Sequence, residues 1–260
     1  MRGFRRSILV SLVGGALLLA PAACSDRSGT AVSEPSTVSD AGPSTTDPAT
    51  GPVTTAGVPY TESELQVTGS TGRVRYDVLI PQIEGGDPAV TAEFNESIRA
   101  ALQDQIDGSG TDAFTLSSQE HSVAHIGEHV ISGLLVTSWN ADPPGAHPTP
   151  IVATVVVNSD TAAPITLGDL FPDLPAGLQA LSDSSARLLP ETVAGPDFDR
   201  SGIEPTEANF ANWLATPAGM EIHFNDYQVG PHAIGLVTVT VPWEDLADVI
   251  DPELAPVVSS

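Results

Sequence analysis

His121, His125 and His129 stand four residues apart with Glu120 and Glu128 beside them, a donor set of the kind zinc takes. That spacing gathers side chains only on a helix, where positions i and i+4 share a face. The segment from Ala113 to Trp139 is instead rich in strand-favouring residues. In a strand, side chains four apart lie about 13 Å from each other, which bonds of about 2.1 Å cannot span. Two of the three could still meet a ligand from a neighbouring strand. The spacing reads as a solvated strand face, and no metal site is assigned.

His147 and His232 suit chemistry better. Each sits in a loop of glycine and proline, Asp142-Pro-Pro-Gly-Ala-His-Pro148 and Tyr227-Gln-Val-Gly-Pro-His-Ala-Ile-Gly235. Such loops fix the backbone direction and present side chains from a rigid scaffold. Tyr227 adds an aromatic face and a phenol, so His147, Tyr227 and His232 are the candidate ligand-binding residues of a polar cleft. The competing explanation is that glycine and proline only make turns, and that the imidazoles bond backbone carbonyls. Covalent hydrolysis needs a serine or cysteine beside a base, with an oxyanion hole nearby. The chain has no Gly-x-Ser-x-Gly elbow, Ser-x-x-Lys, His-Glu-x-x-His or Walker loop, and its acids are scattered. No catalytic residue and no cofactor is assigned. Trp139, Trp213 and Trp243 fall in or beside predicted elements, where packing explains them better than stacking on sugar.

The elements that must position these loops follow from periodicity. Arg73 to Ile80 alternates with Val74, Tyr76, Val78 and Ile80 on one face, as a half-buried strand does. Asp87-Pro88 supplies a helix cap and a first-turn proline; Val90, Phe94, Ile98, Leu102 and Ile106 recur every four residues, and Gly108 ends the run. Ala113 to Trp139 predicts strands with a break near Gly127 or Gly133, and Thr149 to Val157 another strand. Gly177 to Leu189 has helical spacing. Asn209 to Thr216 and Met220 to Asn225 flank the turn Thr216-Pro-Ala-Gly219, Gly235 to Val241 alternates, and Pro242 to Leu246 opens a short terminal helix. Hairpin-spaced strands with a few segregated helices predict an α+β fold around an antiparallel sheet. A smaller strand-helix lobe over 59–140 and a larger one over 141–255 are expected.

Charge narrows the partners. The 260 residues carry 33 Asp and Glu against 9 basic residues, all arginine, for a net charge of −24. Three of those arginines precede Cys24, where no acid stands, so the remainder carries −27. Such a surface repels phosphate and disfavours nucleic acid and anionic lipid headgroups. A hydrophobic content of 41% argues against wholesale disorder, and the single cysteine excludes an intramolecular disulfide.

The beginning of the chain reads as an address. Arg2, Arg5 and Arg6 form a basic n-region before the apolar stretch Ile8 to Ala23, which is shorter than the ~20 residues of a spanning helix. Leu18-Leu-Ala-Pro-Ala-Ala-Cys24-Ser resembles a bacterial lipobox, with Pro21 where an aliphatic residue is usual. Residues 1–23 are thus expected to be a signal peptide and Cys24 a lipidated residue holding the protein to the outer face of the bacterial cell membrane. Ordinary signal-peptidase cleavage after the small residues Ala20 and Ala22, giving a secreted protein that starts at Ala23, is the alternative. Ser25 to Val58 is nearly all Ser, Thr, Pro, Gly, Ala, Asp and Val, a composition expected to stay disordered as a tether.

The order of motifs then carries a resemblance. Leu134 to Trp139, Pro144-Gly-Ala-His147, a strand, Pro164 to Phe171, Met220 to Pro231 and Val239 to Leu246 follow one another over most of residues 60–254. This order resembles the C-terminal domain-of-unknown-function family found in the anti-sigma factor RsiV, which senses lysozyme, and in the secreted immunogenic protein of tuberculosis-complex mycobacteria. Pro148 and His232 depart from that pattern, where many members have a glycine and an aromatic residue. The sigma-binding segment and membrane span of RsiV have no counterpart here, so no anti-sigma role is implied. The resemblance implies a non-catalytic binding domain and a basic wall-active protein such as a lysozyme, or a cell-wall glycan, as partner. An envelope hydrolase with a site between the His147 and His232 loops is the alternative, and a purely structural envelope protein a third.

Acylation of Cys24 should carry the protein into the detergent phase on phase separation, and Cys24→Ser should move it to the aqueous phase. Wild-type protein found wholly in the aqueous phase would refute the anchor.

Overall fold

The computed structural model describes residues 58–108 and 112–260. The signal, the lipobox and nearly all of the tether lie outside them. Strand β1 (Thr61–Ser70) pairs antiparallel with β2 (Val74–Glu84). Helix α1 (Pro88–Asp107) then crosses to β3 (Phe114–Ile126), which lies parallel to β2 over Val74 to Asp77. β4 (Val130–Ala141), β5 (Thr149–Asn158) and the two-residue β6 (Ala163–Pro164) complete a six-stranded sheet whose strands stand in sequence order. After α2 (Leu167–Leu170) and α3 (Leu174–Leu188) the chain forms a three-stranded sheet of β7 (Trp213–Thr216), β8 (Gly219–Phe224) and β9 (Val237–Val241). A short helix, α4 (Ala255–Val258), follows near the end. The fold is α+β.

α1 forms as its sequence dictates. The Asp87 carboxylate accepts from the Ala89 and Val90 amides at 2.7 and 3.4 Å, Pro88 opens the first turn, and the stripe Val90, Phe94, Ile98, Leu102, Ile106 is buried. That stripe lies on one face of the large sheet, among Ile131, Leu135, Val155 and Val157. On the opposite face Leu134, Val136 and Val152 pack with Leu214 of β7. The far side of the small sheet buries Ile222 and Phe224 with Leu178 and Leu181 of α3.

β7 is held to the large sheet by hydroxyls. Ser132 Oγ donates to the Ala215 carbonyl at 2.9 Å and accepts from the Ala215 amide at 3.1 Å, while Thr154 Oγ1 accepts from the Trp213 amide at 2.9 Å. These are the backbone groups of β7 that turn away from β8, since the alternate residue Leu214 pairs with Glu221.

Several expectations are corrected. The sheet is not purely antiparallel, because α1 carries the chain over to a parallel β3. The break in the 113–139 region is the turn at 127–129, whereas Gly133 lies inside β4. Gly133 is there for space: a Cβ would sit 2.6 Å from Phe94 Cζ and 3.1 Å from Ile98 Cδ1. The segment opening at Trp243 is a 3₁₀ turn, Trp243–Leu246, and β1 is a strand that periodicity did not predict. β4 ends at Ala141, and β5 pairs with it from Trp139↔Thr149 to Val130↔Asn158.

Gly133→Val should therefore destabilise the fold by about 1–3 kcal/mol, read from chemical denaturation. Combined with Phe94→Leu, the loss should fall short of the sum of the two single losses. Strict additivity would show that the Phe94 ring does not set the space at Gly133.

Candidate functional site

His147 sits on the β4–β5 loop, and Tyr227 and His232 sit on the β8–β9 connection. The fold brings the two loops together. The His147 and His232 rings stack with centroids 3.8 Å apart and planes at 14°. Tyr227 stacks on His232 at 5.6 Å and 25°. All three candidate ligand-binding residues thus share one cluster.

Each loop is fixed locally. Arg75 on β2 bonds Asp142 at 2.7 Å and so ties the start of the β4–β5 loop to the sheet. His147 Nδ1 lies 3.3 Å from the carbonyl of Pro148, the local contact that the turn explanation foresees. In the second loop, Gln228 Nε2 donates to the carbonyls of Gly202 and Asn209 at 2.8 and 2.9 Å, and Gln228 Oε1 accepts from the Asn225 amide. Gly202 allows that approach, because a Cβ there would lie 2.0 Å from the Gln228 carbonyl oxygen. Anchored in this way, Tyr227 holds φ at +63°, in the left-handed region that bulky residues avoid, and its side chain is 57% exposed.

Sequence reasoning missed Asp226. Its side chain is only 2% exposed, and Oδ2 lies 2.8 Å from His232 Nδ1. Its other oxygen, Oδ1, is buried and takes no hydrogen bond. A carboxylate can only accept, so neutral His232 carries its proton on Nδ1 and turns a bare Nε2 away from Asp226. The arrangement offers aromatic faces, a phenol and one oriented imidazole base.

The other histidines go elsewhere. His121 Nε2 bonds Glu64 at 2.9 Å, His125 Nε2 approaches the Ser260 carbonyl at 2.7 Å, and His129 Nδ1 lies 2.9 Å from Asp160. The hydrogen bond to Asp160 holds the His129 pKa above its ordinary value, with Asp160 and Glu128 adding charge attraction. His223 Nε2 bonds Glu221 at 2.8 Å, and this bond lowers the Glu221 pKa against the opposing effect of partial burial. Among the described residues no three His, Cys, Asp or Glu side chains converge as a metal site. No helix among them is long and apolar enough to cross a membrane. Cys24 lies outside the described residues.

Fold and site together define an α+β domain in which two sheets bring a pair of loops into contact around a ring stack. Residues 169–244 match the model of the DUF3298 family, which is described as protein of unknown function. The match includes Asp226, Tyr227 and His232 but not His147. The fold resembles that of a DUF3298 family member (BF2082) from Bacteroides fragilis, with a TM-score of 0.50 and 14% identity, covering 77% of this chain and 96% of that one. A DUF3298 family protein (PA4972) from Pseudomonas aeruginosa gives a TM-score of 0.49 and 14% identity, covering 76% and 96%. At 14% identity the likeness to the Bacteroides fragilis protein speaks for fold alone. Among curated proteins nothing matches the chain.

If Asp226 sets the tautomer, ¹⁵N NMR at a pH where His232 is neutral should show a protonated Nδ1 and a bare Nε2. Asp226→Ala should release the ring to the Nε2–H form. An unchanged tautomer in that variant would remove Asp226 from the site.

Proposed function

We propose that the protein is an extracytoplasmic cell-envelope lipoprotein, anchored through acylated Cys24, whose folded domain binds a ligand or protein without transforming it. The observation that carries the binding reading is the stack of His147, His232 and Tyr227, with His232 backed by buried Asp226. Left-handed backbone at a tyrosine costs on the order of 1–3 kcal/mol, and here it leaves an aromatic ring in solvent. Exposed, rigidly held aromatics are the usual anchors of recognition surfaces. The charge of −27 beyond Cys24 speeds encounter with cationic partners and suppresses anionic ones, nucleic acid included. With the resemblance to the RsiV domain, this favours a basic wall-active protein such as a lysozyme over a cell-wall glycan.

The second reading, an envelope hydrolase, draws on the Asp226–His232 pair. A carboxylate on Nδ1 leaves Nε2 as a base, the orienting half of a catalytic triad. The His232 ring hydrogen-bonds Asp226 alone among the described residues, so such a base would act on water rather than on a neighbouring hydroxyl.

Titrating lysozyme onto the full chain near physiological salt, where exposed charges are screened beyond ~8 Å, separates specific recognition from charge attraction. Affinity should persist there and fall about tenfold or more in Tyr227→Ala and His232→Ala, the loss typical of an interface anchor. Binding that vanishes at that salt and ignores both substitutions would overturn the lysozyme reading. Turnover of ester or glycan substrates that disappears in His232→Ala would replace it with the hydrolase.

A further inference from the structure

A second surface, independent of the ring stack, lies along the outer edge of β5. β6 covers only the end of that edge: Val157 pairs with Pro164, Asn158 with Ala163, and the Ile165 amide donates to the Val156 carbonyl at 2.8 Å. An antiparallel ladder alternates every second residue, so the backbone groups of Thr154 and Val152 point the same way as those of Val156, away from β4. There β5 faces a groove instead of another strand. Two adjoining depressions of 570 and 430 Å³ follow residues 151–156 and meet at Thr154. Ser97, Ala101 and Asp104 of α1 form one wall, and Ala211, Asn212 and Trp213 the other. Six strand residues measure about 20 Å, the length of a short extended peptide.

We propose that this groove takes an extended, basic polypeptide segment of a partner protein, which adds to the large sheet as a strand beside β5. Backbone N–H and C=O groups at Val152 and Thr154 supply the main-chain hydrogen bonds of such an addition, which is how sheet edges recognise peptides. The larger depression, lined by Val156, Ile165, Leu167, Leu174 and Trp213, accepts an apolar side chain. Charge selects the occupant. Glu207 lines the larger depression, Asp104 lines the smaller, both are exposed, and the chain beyond Cys24 is strongly acidic. Lysine or arginine on the incoming strand therefore finds a carboxylate in each half of the groove, whereas an acidic segment meets like charge.

The probe is an acetylated seven-residue peptide of alternating valine and lysine, titrated onto the full chain near physiological salt and followed by calorimetry and amide hydrogen exchange. Binding should slow exchange at the Val152 and Thr154 amides about tenfold or more, as newly bonded amides do. N-methylation of alternate peptide amides on the bonding edge should weaken binding about tenfold or more. Asp104→Lys with Glu207→Lys, both at exposed positions, should weaken it without lowering the melting temperature. No binding at millimolar peptide overturns the proposal, as does equal affinity of the N-methylated peptide. So does protection of Val152 and Thr154 by a second copy of the chain without peptide. Perturbations confined to His147, Tyr227 and His232 would assign the peptide to the ring stack and remove the groove, leaving the earlier reading intact.

Discussion

Two hydroxyls, that of buried Ser132 and that of half-buried Thr154, fasten the small sheet to the large one. β7 has a strand partner on one side only, and its outward backbone groups at Trp213 and Ala215 are sealed in the interior. Left unmet, each would cost about 1–3 kcal/mol. Ser132 meets both groups of Ala215, donating to its carbonyl and accepting from its amide, and Thr154 accepts from the Trp213 amide. Ser132 stands on β4 and Thr154 on β5, and the loop joining those strands bears His147. The β8–β9 connection, hung from the sheet that these hydroxyls hold, bears Tyr227 and His232. One pair of strands thus supports both halves of the ring stack, and the register of β7 on β4 and β5 sets whether the rings meet.

Within the stack, Asp226 is the costly element. Burying a carboxylate with one oxygen unbonded is unfavourable unless the charge meets a partner, and here that partner is the His232 ring. The same contact fixes the ring's orientation, so the imidazole that stacks on His147 cannot turn freely. Gln228, clamped to the Gly202 and Asn209 carbonyls, keeps the adjoining Tyr227 in its left-handed conformation. Rigidity rather than depth marks this cluster, which suits recognition of a surface better than enclosure of a small molecule.

Much of this was legible in the residues. The four-residue period from Val90 to Ile106, capped by Asp87-Pro88, made α1 plain, and the Gly/Pro loops singled out His147, Tyr227 and His232. What escaped was set by long-range packing. Of its ten residues β1 has only Leu65 and Val67 as large apolar side chains, an alternation too short to betray a strand that owes its state to pairing with β2. Gly133 looked like a breaker, but it is a recess for the Phe94 ring. Asp226 looked like any acid in a turn until the tertiary fold buried it, and nothing local marks Ser132 or Thr154 as joints. The parallel β2–β3 pair did leave a trace: twenty residues of α1 between two strands are long enough for a crossover, whereas a hairpin needs only a few.

The two edges of the large sheet are unlike in shape yet alike in sign. β1 closes one edge with an exposed face bearing Glu62 and Glu64, and Asp104 and Glu207 line the groove at the other. Unlike edges that fit each other would let copies join head to tail, and a head-to-tail contact that does not close on itself grows into a filament. Here that union would press carboxylates of β1 against carboxylates of the groove. Crowded at high density, the chain therefore has an open strand edge without the means to polymerise through it, a form of protection against fibres that resides in the sign of four side chains.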